Sequence, residues 1–309
     1  MQKISFVVPI YNEEKNVNEL YRRLKHVAVK DFKDFKSEII FIDDGSTDRS
    51  LELLEKLYNQ DADIQIIQFS RNFGHHIAIT AGLDMADGDL VVMMDGDLQD
   101  RPEEILKLYN KLQEGYDVVY ADRMNTRSGL INRTTSWLFN TMIKKLIDEP
   151  IVINSTIFRI MTRQVVESIK LLGEKNRYLI GVIGWAGFKH AAQRVEHDKR
   201  HAGRSKYNLS KRLSLALSAI FSFSSYPLKI IIKIGLFFVL GSFLTGVYIV
   251  YKKVFYGVSV LGWSSLIVAI LVMGGIQIMV LGIIGEYVGR NYIETKDRPL
   301  YVIKRYLRN

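Results

Sequence analysis

Two carboxylates two residues apart, Asp95 and Asp97, stand just beyond the apolar run Leu90-Val91-Val92-Met93-Met94, with Gln99 close behind. At the end of a strand such a pair can share one hard divalent cation, with Gln99 and phosphate oxygens completing the shell. A cation held there neutralises the charge that builds on a departing diphosphate. Asp-x-Asp alone is a common acidic turn, and the apolar run in front of it is what gives it weight. Three other apolar runs also end in polar groups: Pro9-Ile10-Tyr11-Asn12-Glu13, Asp43-Asp44-Gly45-Ser46 and Ser70-Arg71-Asn72-Phe73-Gly74. Each taken singly reads as a turn with a helix cap, as Asp43 to Asp48 does before its next helix. All together, suited to one anionic ligand, they are hard to explain structurally. The chain has no Gly-x-Gly-x-x-Gly and no Gly-x4-Gly-Lys-Ser/Thr, so dinucleotide and P-loop readings drop away.

The elements that must position these groups alternate. Apolar strands are predicted at Ile4–Ile10, Glu38–Ile42, Ile64–Phe69, Leu90–Met94 and Val118–Tyr120, with amphipathic helices near Glu14–Val29, Asp48–Asn59, His75–Met85 and Pro102–Glu114. This alternation implies right-handed crossovers and a mostly parallel, Rossmann-like α/β sheet. Ligands of such open sheets bind beyond the carboxyl ends of the strands, which is where the polar groups fall.

Toward the C-terminus the pattern changes. Ile234 to Tyr251 is uncharged, with Lys229 and Lys233 at its start able to snorkel, and Val254 to Gly285 is uncharged as well. The lengths predict two transmembrane helices, at about 231–252 and 262–285. The connection is short, so they form a hairpin within residues 229–288. Lys199, Arg200, Arg204, Lys206, Lys211 and Arg212 precede the hairpin, and Arg290, Lys296, Arg298, Lys304, Arg305 and Arg308 follow it. The loop offers only Lys252 and Lys253. Positive charge therefore places both flanks in the cytoplasm, giving a multi-pass protein of the inner or plasma membrane. Leu209, Leu213, Leu217, Ile220 and Phe221 recur at helical spacing and predict an interfacial helix within 206–228, a plain core helix being the bland alternative. The expected parts are a cytoplasmic domain over 1–205, the juxtamembrane segment, the hairpin, and a cytoplasmic tail over 289–309.

Charge follows the same division. Of the net +9, residues 1–117 contribute −9, from 14 Lys and Arg against 23 Asp and Glu, and residues 118–309 contribute +18. The acidic part suits cation binding and the basic part suits phosphates or an anionic membrane surface. Nucleic acid, the rival partner for a basic region, fits poorly beside two spans. The chain has no cysteine, which excludes disulfides and thiolate chemistry and fits a cytosolic domain.

The segments Val7-Val8-Pro9-Ile10-Tyr11-Asn12-Glu13-Glu14, Asp43-Asp44-Gly45-Ser46, Phe69-Ser70-Arg71-Asn72-Phe73-Gly74 and Met94-Asp95-Gly96-Asp97-Leu98-Gln99-Asp100 resemble the inverting A-type glycosyltransferases of glycosyltransferase family 2, of the dolichol-phosphate mannosyltransferase class. The later half resembles bacterial bactoprenol (undecaprenyl phosphate) glucosyltransferases through Gly203-Arg204-Ser205-Lys206-Tyr207, Gly274-Gly275-Ile276-Gln277 and the tail from Gly285 to Lys296 with Arg298-Pro299. The resemblance implies an A-type fold and a metal-dependent hexosyl transfer, with inversion, from a nucleotide sugar to a polyprenyl phosphate. UDP-glucose ranks first as donor, then UDP-GlcNAc. It further implies that Pro9, Tyr11, Glu13, Asp44 and Arg71 bind the nucleotide with Asp95. Asp95 and Asp97, the catalytic pair, would hold Mg2+ or Mn2+ with Gln99. Arg123, Arg133, Ser205 and Lys206 would hold the lipid phosphate. The product would serve cell-envelope glycan modification, of lipopolysaccharide or teichoic acid, and relatives imply a homo-oligomer, a tetramer.

Two departures stand out. Asn154-Ser155-Thr156-Ile157 replaces the usual acidic stretch before Phe158-Arg159-Ile160, and His75-His76 replaces a Lys-Glu pair. The first raises the alternative of a catalytically altered partner of a membrane flippase. However, a phosphate monoester with a second pKa of about 6 is already a dianion near neutral pH and needs no general base. The histidines open a helix, where capping is the bland reading and a donor contact the sharper one. A processive polysaccharide synthase is a further alternative, but Gln-x-x-Arg-Trp and additional spans are missing.

Overall fold

The computed structural model describes residues 1–123, 156–175, 179–198, 226–256 and 262–309. Apolar runs with no polar face become the central strands β1 (Lys3–Ile10), β2 (Lys36–Asp43), β3 (Ile64–Phe69) and β4 (Leu90–Met93). Being parallel they need cover on both faces. Helices α1 (Val17–Asp31), α2 (Ser50–Tyr58) and α4 (Ile105–Leu112) cover one face, where Leu20, Leu24, Leu54 and Leu108 pack on Phe6, Val8 and Phe41. On the other face α3 (His75–Met85), α5 (Arg163–Lys170) and α6 (Leu179–Trp185) bury Ala78, Ala81, Val166 and Val182 against Val7, Ile40 and Ile42.

Four further strands complete the sheet: β5 (Val118–Arg123), β6 (Arg159–Thr162), β7 (His190–Val195) and β8 (Ile303–Leu307). The order is β7-β5-β6-β4-β1-β2-β3-β8. The pairings β1/β2, β1/β4, β2/β3 and β5/β7 are parallel, so the expected mostly parallel sheet is present, while β6 and β8 run antiparallel to their neighbours.

Strand β8 lies in the stretch read from sequence as a tail. It covers the free edge of β3, and side chains secure it there. Tyr301 stacks on Phe69 with centroids 5.2 Å apart, and its hydroxyl donates to Asp84 at 2.8 Å. The Tyr306 hydroxyl donates to Gln65 at 2.6 Å, and Arg305 pairs with Glu55 at 2.6 Å.

Two long helices separate β7 from β8: α7 (Tyr226–Tyr256) and α8 (Trp263–Thr295). Apolar side chains stand exposed along both, among them Phe237, Phe243, Ile278 and Leu281. Among the described residues, Val272–Thr295 is long and apolar enough to cross a membrane. Helix α8 runs on to Thr295, past the Gly285 expected to end the second span. Where it ends, the Lys175 amide donates to Glu294 at 2.9 Å and the Lys175 ammonium pairs with Asp297 at 3.0 Å. Most of the expected interfacial segment lies outside the described residues.

Gly82 of α3 faces β1 and β2, and a Cβ there would overlap Val7 Cγ1 and lie 2.7 Å from Ile42 Cδ1. Alanine would gain about 1 kcal/mol of helix propensity, but overpacking a close-packed core costs roughly 1–3 kcal/mol. Gly82→Ala should therefore lower the melting midpoint of the detergent-solubilised protein. A midpoint at or above wild type would contradict this packing.

Candidate active site

Because β1 to β4 are parallel, the loops that follow them share one edge of the sheet. The first two loops are stitched together. Asn12 takes a left-handed backbone (φ 57°), its N–H donating to Ser46 Oγ at 3.1 Å while its Oδ1 accepts from the Thr47 N–H at 2.8 Å. The Glu13 N–H donates to Ser50 Oγ at 2.8 Å, and its carboxylate accepts from the Asn16 amide.

The second loop is pressed against the third. Gly45 has φ +71°, and a Cβ on it would sit 2.6 Å from the carbonyl carbon of Arg71. Buried Asp44 accepts from the Phe73 N–H at 2.7 Å and from the Gly74 N–H at 3.0 Å, while the Asn72 amide donates to its carbonyl. Burial pushes the Asp44 carboxyl up, against the pull of those two amides, and burial raises Asp43 as well. Arg71 is exposed, its guanidinium 4.2 Å from the centre of the Phe73 ring. Tyr11 is exposed too, while Pro9 is buried within β1.

Beyond β4 the chain passes so close to β1 that a side chain between the two aspartates would have to displace its neighbours. A Cβ on Gly96 would meet Ile10 Cδ1 at 2.7 Å and the Pro9 carbonyl at 3.0 Å. Asp97 is buried and accepts from the Gln99 N–H at 3.1 Å. Half-buried Asp95 holds His75, with Nε2 to Oδ1 at 3.0 Å. Burial works against a charge on His75, but the hydrogen bond to Asp95 and the charges of Asp95, Asp44 and Asp97 hold its pKa above the ordinary imidazole value. Burial and the neighbouring His75 drive His76 the other way, down to about 4. The helix-capping reading of this pair thus misses a hydrogen bond to the very aspartate expected to hold a cation. Sequence offered one signal, the replacement of a Lys-Glu pair at these positions.

Among the described residues, no three His, Asp or Glu side chains gather into a ready metal cluster. The chain offers Asp95 and Asp97, with Gln99 tied to Asp97 through its backbone N–H. That donor set fits a hard cation that keeps other ligands from water and phosphate oxygens.

The loop continues into further contacts that the sequence did not announce. Arg101 grips Asp198 with both arms of its guanidinium, at 2.7 and 2.5 Å, and also pairs with Glu196. The Asp198 N–H donates to the Gln99 carbonyl at 3.0 Å, and His197 forms a β-bridge with Asp100. Arg159, fully buried at the start of β6, donates to the Thr156 carbonyl at 2.5 Å. Strand β5 runs in the same sense as β4, so Arg123 ends at the same edge as Asp95. Arg133, Ser205 and Lys206, expected at the lipid phosphate, lie outside the described residues, as do Asn154 and Ser155.

Residues 5–170 match Glycosyl transferase family 2, and residues 226–290 match the GtrB C-terminal hairpin. An uncharacterized glycosyltransferase of Bacillus subtilis (strain 168), YkcC, is 43% identical over 97% of this chain and 93% of its own length. The prophage bactoprenol glucosyl transferase homolog of Escherichia coli (strain K12) is 40% identical over 98% of this chain and 99% of its own. Among solved structures, glucosyl-3-phosphoglycerate synthase from Mycobacterium tuberculosis, in complex with Mn2+, UDP-glucose and phosphoglyceric acid, aligns with a TM-score of 0.48 at 16% identity, over 72% of this chain and 78% of that one.

The two adjacent histidines should titrate far apart in the metal-free protein. His75 keeps its proton above the usual imidazole value of about 6.5, whereas His76 stays neutral down to about 4. With a raised folded value, the stabilisation from the His75–Asp95 pair is present below the unfolded imidazole value and is lost as pH rises through the folded one. Histidine-labelled NMR titration checks this, with Asp95→Asn expected to lower the His75 midpoint more than that of His76, because Asp95 bonds His75 and acts on His76 through its charge alone. Indistinguishable midpoints near the free value would refute the assignment.

Proposed function

We propose that this chain, which belongs to glycosyl transferase family 2 and has its A-type α/β fold, transfers a sugar from a nucleoside diphosphate donor to a polyprenyl phosphate at the cytoplasmic face of a membrane. The observation that carries this reading is the single sheet edge on which Asp44, Arg71, Asp95, Asp97 and the end of β5 all converge. Family membership makes the reaction glycosyl transfer. The relative named a bactoprenol glucosyl transferase favours a lipid phosphate as acceptor and glucose as the sugar.

In this reading Pro9, Tyr11, Glu13, Asp44 and Arg71 border the nucleotide. Asp95, Asp97 and Gln99 hold Mg2+ or Mn2+, which when bound offsets the charge of the leaving diphosphate. An oxygen of the lipid phosphate attacks the anomeric carbon from the face opposite the diphosphate. The new C–O bond forms as the bond to diphosphate breaks, the electron pair leaves with the diphosphate, and the configuration inverts. A dianionic nucleophile has no proton to give up, so the chain supplies position and charge rather than a base. Arg123, Arg133, Ser205 and Lys206 are the phosphate-binding groups, because guanidinium forks match phosphate oxygens.

Parity supports membrane insertion by both helices rather than one. Strand β8 belongs to the same sheet as β1, so the chain on either side of the hairpin lies on one side of any membrane it enters. If α8 crosses, another segment must cross back, and α7, about 46 Å long at 1.5 Å per residue, has the reach.

Purified protein given radiolabelled UDP-glucose and undecaprenyl phosphate should yield an organic-phase product whose sugar carries a β linkage by NMR. Asp97→Asn should reduce kcat at least about a hundredfold, as loss of a group that stabilises the leaving charge does. Unlabelled lipid with every nucleotide sugar of a panel, or full activity in Asp97→Asn, would defeat the proposal.

A chain without cysteine also allows a direct topology test. In sealed inverted vesicles, cysteine at Arg308 should react with an impermeant maleimide and cysteine at Lys252 should react only after detergent. Equal reactivity at both would rule out the two-span arrangement.

A further inference from the structure

The hairpin is joined to the catalytic domain by two stretches of chain, and each is fastened to a loop of the site before it departs. On the way in, Glu196–Asp198 lies along the loop that carries Asp95, Asp97 and Gln99. Arg101 holds Asp198 bidentately and pairs with Glu196, the Asp198 N–H donates to the Gln99 carbonyl, and His197 bridges Asp100. On the way out, Tyr301 stacks on Phe69, whose ring in turn meets Phe73 edge-on at 5.5 Å. The Ser70 N–H donates to the Val302 carbonyl at 3.0 Å. Phe73 is the residue whose amide Asp44 holds.

Stability does not account for the first of these attachments. Arg101 and Asp198 keep side-chain exposures of 34% and 38%, a setting in which water screens an ion pair and leaves it little net stability. Ordering the backbone of even one residue opposes folding by more than such a screened pair returns. What a planar bidentate fork does supply is direction, fixing the carboxylate it grips relative to the loop that carries it. The loop gripped is the one that bears the two aspartates.

We infer that Arg101 and Tyr301 are positioning residues, through which the two segments flanking the hairpin hold the donor loops in register with the membrane. The inference rests on the proposed donor site. Arg101 sets the Asp95–Gln99 loop against the incoming segment, and Tyr301 sets the Phe69–Gly74 loop against the outgoing one. Neither touches the donor. A displacement of about 1 Å at such a loop can cost up to about a hundredfold in rate.

The test uses the full chain in nanodiscs containing undecaprenyl phosphate, with UDP-glucose as donor. Arg101→Met and Tyr301→Leu should each lower kcat about tenfold and raise the donor KM. The lipid KM should stay within about twofold, and the melting midpoint within about 4 °C of wild type. Tyr301→Phe, which keeps the stacked ring, should stay close to wild type. The reversed pair, Arg101→Asp with Asp198→Arg, should recover part of the loss shown by Arg101→Asp alone. Unchanged kcat and donor KM in either Arg101→Met or Tyr301→Leu would overturn the inference for that segment. So would a loss that merely tracks the folded fraction, a change in the lipid KM alone, or no recovery in the reversed pair. Asp97→Asn run alongside separates the two levels: if it retains activity, the donor site itself is misassigned, whatever Arg101 and Tyr301 do.

Discussion

A carboxylate shut away from water has to find its donors within the protein, and Asp44 finds them on the backbone of a neighbouring loop. At 3% exposure it would cost about 1–3 kcal/mol if left unsatisfied. The Phe73 and Gly74 amides meet that demand, and in doing so they fix where α3 begins. From that start His75 falls against Asp95. Gly45 makes the approach possible, since any side chain there would run into the Arg71–Asn72 peptide. One buried charge therefore shapes three of the loops on this edge.

Much of this was legible in the sequence. The central strands announced themselves because parallel strands buried on both faces must be continuous apolar runs, and the polar groups ending them were visible as motifs. Strand β8 was not, because Ile303-Lys304-Arg305-Tyr306-Leu307 is an edge strand with its Lys and Arg in solvent, and that pattern also suits a basic tail. The Arg101–Asp198 and Phe69–Tyr301 contacts join residues far apart in the chain, and local pattern carries no information about such pairs. His75 was visible as an anomaly, but its partner depends on the turn that Asp44 imposes.

The charge division acquires a location in the fold. Asp43, Asp44, Asp95 and Asp97 crowd one edge of an acidic domain, where a bare diphosphate would be repelled. A cation is the natural companion of any diphosphate that settles there. The raised pKa of His75, set by its hydrogen bond to Asp95 and by the neighbouring carboxylates, reflects that same crowding of negative charge. The excess basic charge lies further along the chain, in the part that includes the flanks of the hairpin.

In the proposed reaction the lipid phosphate cannot leave the headgroup layer, so the donor would have to be brought to its height and held there. A domain on one flexible tether can turn about all three axes. A second attachment at a separate point leaves rotation only about the line joining the two, and contacts that stiffen either attachment remove much of that as well. Here the attachments sit on opposite sides of β1, one on the loop after β4 and the other on the edge of β3. The donor edge lies between them. On the proposed reading its orientation toward a bilayer would follow from the chain's own connectivity, and the sheet would need no contact with lipid to be correctly aimed.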